Sequence, residues 1–118
     1  MNERDIDRLE LILELIDHLE RRTDSMPRAA FLADKDEVDL TAFRLAAVGE
    51  EANKLSSAVK ARHPAIEWNE IYAMRNVIVH DYGKIDAIRV WKVLGANLTS
   101  LAAVCREELS QVTPAAAP

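Results

Sequence analysis

Cysteine, glycine and aromatic residues are scarce in this chain of 118 residues, and two of these shortages exclude whole classes of site. A single cysteine, Cys105, forms neither a disulfide framework nor a cysteine-based zinc site within one chain, so we expect a reducing compartment, the cytoplasm. The three glycines are isolated, which excludes the glycine-rich loops that hold nucleotide phosphates in P-loop and Rossmann proteins. The first 22 residues carry charge every few positions, so we expect neither a signal peptide nor a membrane span there.

The charge balance argues against a general electrostatic binder of nucleic acids. The chain has 15 basic and 20 acidic residues and a formal net charge of -5. Residues 1–53 carry seven basic and fourteen acidic side chains, whereas residues 54–92 carry seven and four. An anionic partner is therefore expected to meet the middle of the chain.

Apolar residues recur at helical spacing and no segment alternates with a period of two, which predicts an all-α fold. A first helix is predicted over residues 3–22. Its apolar side chains spread over about 220° of the circumference, far more than the roughly 100° that one core contact needs. This helix therefore either packs on two surfaces, one of them in another subunit, or lies at the centre of a small bundle. Residues 23–36, which include Pro27, are predicted to be a connection anchored by Phe31 and Leu32.

Three further helices complete the predicted bundle. The second runs from about Glu37 to Arg62, with Asp36 or Asp39 as its N-cap. The third runs from about Glu67 to His80, and Asp86 caps the fourth.

We therefore expect an up-down bundle of four main helices in a single domain, residues 1–112, followed by a disordered tail, residues 113–118, which has nothing to bury. Cys105 lies on the apolar stripe of the fourth helix, where we expect a buried, inert thiol. Gly49 lies beside the seam of the second helix, where it either lets another helix approach closely or is an ordinary tolerated helix glycine.

The third helix separates an apolar face from an unusually reactive polar face. At about 100° per residue, the predicted core face comprises Ile71, Met74, Val77 and Ile78. The opposite arc comprises Tyr72, Arg75, Asn76, Val79 and His80. This arc contains no lysine or glutamate, the residues that an ordinary solvated helix face carries.

A histidine and an arginine on one such face suffice for RNA cleavage by transesterification through the 2′-hydroxyl. His80 takes or gives a proton near neutral pH, and Arg75 stabilises the negative charge that develops on the phosphate. One histidine does not easily serve both ends of an in-line displacement, and a two-fold dimer supplies a second Arg75 and His80 to the same cleft. Taken alone, the pattern equally fits a helix-end histidine beside a salt-bridging arginine.

The run from Arg75 to Tyr82 resembles the R-x-x-x-x-H-x-Y signature of HepT-like toxins, a branch of the HEPN superfamily of small helical domains. The resemblance covers roughly residues 3–110, since other segments are similar to the family in the expected order: Phe31 to Asp34, Val48 to Glu50, Leu55 and Ser56, Pro64 to Trp68, and Trp91.

This resemblance implies a homodimeric, metal-independent ribonuclease that acts as the toxin of a toxin–antitoxin pair and needs no cofactor. It implies that Arg75 and His80 are the catalytic pair at the dimer interface, with Asn76 and Asp81 in supporting roles. The implied partners are RNA and an antitoxin of the MntA type, a small nucleotidyltransferase that transfers AMP from ATP to Tyr82. Phosphate beside the catalytic pair would then occupy the place of the RNA phosphate.

Two other functions remain open. The chain is alternatively a non-catalytic HEPN module that binds a nucleotide or a partner protein, or a plain helical dimerisation domain. RNA cleavage in the presence of EDTA separates the enzyme from both.

The remaining candidate residues have structural interpretations that we favour. His18 and His63 have no second ligand at a usable spacing, so no metal site is expected. Glu50 and Glu51 are expected to be an exposed pair of carboxylates; the alternative is that Glu50 accepts a hydrogen bond from Arg44 or Asn53. Two tryptophans flank the third helix, and we expect core or interface anchors rather than stacking platforms at Trp68 and Trp91.

Overall fold

The computed structural model describes residues 2–80, 85–96 and 98–112 of the chain. Every regular element in these ranges is an α-helix, which confirms the predicted all-α class. In chain order they are α1 (Glu3–Thr23), α2 (Arg28–Ala33), α3 (Lys35–Asn53), α4 (Ser57–Arg62), α5 (Trp68–His80), α6 (Ala87–Ala96) and α7 (Leu98–Ser110). The predicted tail at residues 113–118 lies outside the described residues, as do Asp81 and Tyr82.

The core forms around α1 and α3, which pack against each other. Helix α3 also contacts α2, α5 and α6, and α1 contacts α7 on its other side. The two surfaces of α1 are thus both occupied within one chain, which is the central-helix alternative of the sequence analysis. Four apolar side chains of α1 are fully buried: Leu9, Ile12, Ile16 and Leu19. Each contributes about 1.5–3 kcal/mol of hydrophobic stabilisation.

The predicted fourth-helix stripe also supplies the core. Cys105 is fully buried, as expected, and this burial raises the pKa of its thiol to about 12. A thiol with so high a pKa carries almost no thiolate at neutral pH and is a poor nucleophile.

The predicted connection and second helix need correction. Residues 28–33 of the connection form the short helix α2, whose Phe31 is buried with its ring 5.1 Å from that of Trp91. Helix α3 begins earlier than expected, and its N-cap is Asp34, whose Oδ1 accepts a hydrogen bond from the backbone N of Glu37 at 3.1 Å. The aspartates at 36 and 39 lie inside the helix instead, where the first of them interacts favourably with the helix dipole.

The predicted second helix is in fact two helices, because Ser56 starts a new one. The Ser56 hydroxyl accepts a hydrogen bond from the backbone N of Val59, which caps α4. The backbone N of Ser56 itself donates to Oδ1 of Asp5 at 2.9 Å, and Asp5 is almost fully buried in α1. These local bonds compete with continuation of α3 and explain the break.

A buried carboxylate fixes the turn that leads into α5. Glu108 of α7 accepts hydrogen bonds from Nε and Nη2 of Arg62, at 3.1 and 2.6 Å, and lies 2.6 Å from Nε2 of His63. The indole of Trp68 donates to the carbonyl of His63 at 3.1 Å. The start of α5 is therefore tied to α4 and α7 before its functional face begins.

The last two helices form a bent pair. Asp86 caps α6 as predicted, since its Oδ1 accepts from the backbone N of Ile88 at 3.0 Å and of Arg89 at 3.4 Å. The axes of α6 and α7 differ by 43°, so the predicted fourth helix is two helices. Across the described ranges no single helix is long and apolar enough to cross a bilayer, although this bent pair reaches the required length and composition when its two members are taken together.

Candidate active site on α5

Helix α5 packs its apolar side chains chiefly against α3 and leaves one apolar edge open. Ile71 and Ile78 are buried and Met74 is half-buried, as the helical spacing predicts. Val77, which the same spacing assigned to the core face, is instead 41% exposed. It lies at the edge of α5 that faces α6, where the two helices leave a groove between them.

Gly49 allows the close approach of α3 to α5. A Cβ atom at position 49 would lie 2.7 Å from Cβ of Arg75 and 3.0 Å from the carbonyl oxygen of Ile71. Both distances are shorter than ordinary van der Waals contact, and one of the two neighbours is backbone. The close-approach alternative for Gly49 is therefore the correct one, and it brings α3 against the point where Arg75 leaves α5.

Three neighbouring groups surround the guanidinium of Arg75. Its Nη1 donates a hydrogen bond to Oδ1 of Asn76 at 2.8 Å, its Nε lies 2.7 Å from Oε2 of Glu50, and its Cζ lies 5.7 Å from the ring centre of Tyr72. The described residues provide no hydrogen-bond acceptor for Nη2. Arg75 thus keeps donors on its outer edge for an anion such as a phosphate.

Glu50 is the residue whose sequence interpretation was wrong. It is not a freely exposed carboxylate, and its contact is neither Arg44 nor Asn53: its side chain is 35% exposed and lies between Arg75 and Lys54. The Nζ of Lys54 lies 3.5 Å from Oε1, and the same Nζ lies 3.7 Å from Oε2 of Glu51. The sequence carried one signal for this arrangement, the glycine next to Glu50, because a helix glycine marks the place where another helix comes close.

The attraction between Glu50 and Arg75 is Coulombic more than directional. Although Oε2 of Glu50 is buried and lies 2.7 Å from Nε, it accepts no well-aligned hydrogen bond among the described residues. A buried carboxylate oxygen with unused acceptor capacity is costly unless a charge compensates it. Arg75 supplies that charge.

His80 lies at the last residue of α5 and is exposed. Within the described part of the chain its imidazole makes no hydrogen bond and no ion pair, so the ring is available to solvent. The structure therefore shows a hydrogen bond between Arg75 and Asn76, whereas His80 is bonded to neither of them inside one chain. The other predicted site residues, Asp81 and Tyr82, fall outside the described residues.

An apolar groove borders this face. Between α5 and α6 lies a cavity of about 320 Å³ whose lining is mostly apolar and includes Arg89. Branched apolar side chains are exposed on both helices: Val77 at the groove is 41% exposed, Val79 among the polar residues of α5 is 44% exposed, and Ile88 of α6 is 47% exposed. An apolar surface beside exposed polar groups is typical of a contact region between proteins.

The remaining candidate residues take structural roles. Trp68 and Trp91 pack against the core, as expected of anchors. His18 is exposed on α1, and His63 is bound to Glu108. Among the described residues there is no group of three or more histidine, cysteine, aspartate or glutamate side chains arranged to hold a metal ion. The cluster of Arg62, His63 and Glu108 was missed from the sequence, because Glu108 lies 46 residues from Arg62 and 45 from His63 and no local pattern joins it to them.

Comparison with known proteins places the chain in one family. A family model described as "Ribonuclease HepT-like" matches residues 12–108. A protein of Thermococcus cleftensis named "Probable ribonuclease HepT" is 32% identical over 95 residues, which cover 80% of this chain and 86% of that protein.

Two proteins of Methanocaldococcus jannaschii, each named "Putative RNase", are also similar. One is 26% identical over 54 residues, covering 46% of this chain and 50% of the relative. The other is 29% identical over 81 residues, covering 69% and 67%. No solved structure matches the chain.

Proposed function

Because the chain belongs to the HepT-like ribonuclease family, we propose that it cleaves RNA without a metal ion, with Arg75 and His80 as the catalytic residues. The observation that carries this proposal is the arrangement on α5. Arg75 keeps donors free on its outer edge, and His80 is exposed with no partner among the described residues. An arginine or histidine used only for structure is normally paired with the groups around it.

The chemistry is an in-line displacement at phosphorus. The RNA 2′-oxygen forms a new bond to the adjacent phosphorus while the bond from phosphorus to the 5′-oxygen breaks, which leaves a 2′,3′-cyclic phosphate and a 5′-hydroxyl end. One imidazole takes the proton from the 2′-hydroxyl, and a second imidazole, as imidazolium, gives a proton to the departing 5′-oxygen. The guanidinium of Arg75 stabilises the extra negative charge on the five-coordinate phosphorus.

Two histidines at one phosphate require two copies of the chain. We propose a homodimer whose two-fold axis brings the two α5 helices together, which supplies a second Arg75 and His80. The exposed apolar side chains of α5 and α6 support this contact, since Val79 lies among the polar residues of α5 and Val77 lies at the edge that faces α6. Although the chain as a whole is acidic, such a dimer places two Arg75 guanidinium groups at one site and makes that site positively charged.

The central test is RNA cleavage by the purified protein in buffer with EDTA. We expect Arg75→Ala to lower the rate about 10²–10³-fold, since it removes the group that stabilises the transition-state charge. His80→Ala is expected to lower the rate about 10²–10⁴-fold by removing the proton-transfer group. His80→Ala should keep the thermal unfolding transition of the wild type, because His80 is exposed. Arg75→Ala leaves the buried Oε2 of Glu50 without its compensating charge and should lower the transition, so its helical content is checked separately by circular dichroism.

Matched controls are available on exposed helical positions far from α5 in the sequence. His18→Ala on α1 and Arg28→Ala on α2 remove the same chemical groups and should leave the rate unchanged. Cleavage that needs a divalent metal, or that survives both Arg75→Ala and His80→Ala, would contradict the proposal. A protein that binds RNA or a nucleotide and never cleaves RNA would instead be the non-catalytic module.

We further propose that the enzyme is the toxin of a toxin–antitoxin pair and that a nucleotidyltransferase antitoxin of the MntA type inactivates it. The antitoxin transfers AMP from ATP to the hydroxyl of Tyr82, with release of pyrophosphate. Tyr82 follows His80 by two residues, a separation of at most about 7 Å along an extended chain. A phosphate at this distance competes for Arg75 and blocks the RNA phosphate by charge and by volume.

This regulation is tested by incubating the protein with ATP and the candidate antitoxin and weighing the product. We expect a mass increase of one or more AMP groups together with loss of RNA cleavage, and neither change in Tyr82→Phe. Addition of AMP to Tyr82→Phe would place the modification elsewhere. Tyr72, which is half-buried on the described part of α5, provides the matched control, because Tyr72→Phe should still be modified.

A further inference from the structure

We propose that Glu50 is a positioning residue that holds the Arg75 guanidinium in its productive orientation, an inference that rests on the proposed ribonuclease function. The two side chains come from different helices, α3 and α5, and Oε2 of Glu50 lies 2.7 Å from Nε of Arg75. Glu50 acts through Arg75 and has no contact with the substrate in this scheme.

The backbone of α3 sets the geometry of this pair. Because position 49 is glycine, the stem of Arg75 runs directly against α3, where a Cβ atom would lie only 2.7 Å from Cβ of Arg75. The next residue along α3 is Glu50, so its carboxylate meets the guanidinium at the end nearest the stem. The two neighbouring residues of α3 thus have different roles. Gly49 lets α5 approach, and Glu50 contacts the guanidinium of Arg75.

The position of the contact on the guanidinium decides what remains free. A carboxylate that paired with both Nη atoms would occupy the edge that a phosphate needs. Glu50 contacts Nε instead, and Asn76 takes one hydrogen bond from Nη1. The Nη2 group and the second hydrogen of Nη1 have no acceptor among the described residues, so these donors remain for a phosphate.

Glu50 is restrained in its turn by a second cation. Nζ of Lys54 lies 3.5 Å from Oε1, on the oxygen that does not face Arg75. Lys54 therefore offsets part of the carboxylate charge, so that Glu50 orients Arg75 without cancelling its attraction for an anion. The face of the Tyr72 ring, 5.7 Å from Cζ, limits the guanidinium on a further side.

The expected effect of Glu50→Gln follows from lost orientation. Glutamine is nearly isosteric but uncharged, so Arg75 samples more rotamers and presents its fork less often to the scissile phosphate. We expect kcat for an RNA oligonucleotide in EDTA to fall about tenfold to hundredfold. KM should stay equal or decrease, because the substitution also removes a negative charge near the RNA.

Glu51→Gln is the matched control. Glu51 is the next residue of α3 and contacts Lys54, at 3.7 Å, while the described contacts of Arg75 do not include it. Glu51→Gln should therefore leave kcat unchanged. Glu50→Asp keeps the charge on a shorter stem and should recover part of the activity that Glu50→Gln loses.

Two readouts separate positioning from a general structural role. Introduced into Arg75→Ala, Glu50→Gln should cause no further loss in single-turnover cleavage, since residues that act through one group are not additive. The NMR resonance of the Arg75 Nε–H should also shift and broaden in Glu50→Gln and stay in place in Glu51→Gln. This second measurement decides the question even where the residual cleavage of Arg75→Ala is too slow to follow.

The proposal is overturned if Glu50→Gln leaves kcat unchanged or raises it, if it lowers the rate further in Arg75→Ala, or if the Nε–H resonance does not move. These results are distinct from failure of the proposed function. That failure would appear as a wild-type protein that does not cleave RNA in EDTA, or as an Arg75→Ala variant with full activity.

Discussion

At the scale of single residues, electrostatic pairing decides which charged side chains are structural and which stay available. Arg62 and Glu108 satisfy each other with two hydrogen bonds, and His63 lies against the same carboxylate. Arg75, by contrast, meets Glu50 at one end only and keeps donors on the other. The difference separates an arginine that fixes the fold from one that remains able to bind an anion.

The Glu108 carboxylate predicts a defined acid sensitivity. Hydrogen bonds from Arg62, opposed by burial and assisted by His63, lower the pKa of Glu108 from 4.5 to about 2. A carboxylate whose pKa is lower in the folded state stabilises the fold above its unfolded pKa, and this contribution is lost as pH falls from about 4.5 to about 2. Allowing for solvent screening of the exposed Arg62, Glu108→Gln should lower the free energy of unfolding by about 1–2 kcal/mol at pH 7.

Urea unfolding of both proteins at pH 7 and at about pH 2.5 tests this prediction, with the acid value near the lower end of the titration range. The difference between wild type and Glu108→Gln should shrink at the lower pH. Glu107→Gln, at an exposed neighbouring position of α7, should change stability little at either pH. A constant difference between Glu108→Gln and wild type would mean that the pair contributes no pH dependence.

At the scale of elements, the contact between α3 and α5 joins the core to the functional face. Ile71 and Ile78 are the buried side chains of α5, and Gly49 on α3 leaves room for the first carbon atoms of the Arg75 side chain. Because both features lie on the same contact, the packing of these two helices determines where the guanidinium emerges.

Gly49→Ala is therefore expected to damage stability and activity together. Alanine gains up to about 1 kcal/mol in helix propensity, but its Cβ would meet the carbonyl of Ile71 at 3.0 Å, and this backbone atom cannot rotate away. We expect a net loss of about 1–2 kcal/mol in the free energy of unfolding, with a reduced kcat because α5 and Arg75 are displaced.

Gly95→Ala in α6 is the matched control for this test. Among the described residues, and apart from the adjoining backbone of its own helix, no atom lies within 4 Å of a Cβ built at Gly95, so alanine there should stabilise the protein by about 0.4–1 kcal/mol. Thermal or urea unfolding of the two variants gives opposite signs if the steric argument is correct. Equal stabilisation by both substitutions would show that α3 and α5 can separate without cost.

At the scale of the whole molecule, we propose that the exposed apolar side chains of α5 and α6 form the contact between two copies of the chain. The described residues expose Val77 beside a groove of about 320 Å³, and Val79 and Ile88 elsewhere on the same two helices, although the chain has a buried core of its own. We expect sedimentation to give twice the 13.2 kDa mass of one chain. Val77→Glu should shift the protein toward monomer, because it places a charge in the apolar contact.

Phe43 on α3 provides the control surface for the dimer. It is 73% exposed and does not line the groove between α5 and α6, so Phe43→Glu should leave the mass at that of a dimer. A monomeric wild type would contradict the two-copy site. Dissociation by Phe43→Glu but not by Val77→Glu would place the interface on α3 instead.

The sequence by itself determined the helical class and the ends of α1 and α5 to within one residue. Helical periodicity depends on neighbours three and four positions apart, so it places Ile71, Ile78 and Cys105 in the core correctly. Caps such as Asp86 are equally local, because the side chain bonds the backbone two or three residues away. The polar arc with Arg75 and His80 can be recognised for the same reason.

Only the tertiary structure decided which partners these residues meet. The division of the predicted second helix depends on Asp5, 51 residues from Ser56 in sequence, and the exposure of Val77 depends on how closely α6 approaches α5. Glu50 contacts Arg75 because a glycine lets two helices approach each other, a distance that no local pattern encodes. Periodicity determines which face of a helix a side chain occupies, whereas packing between helices determines what lies opposite that face.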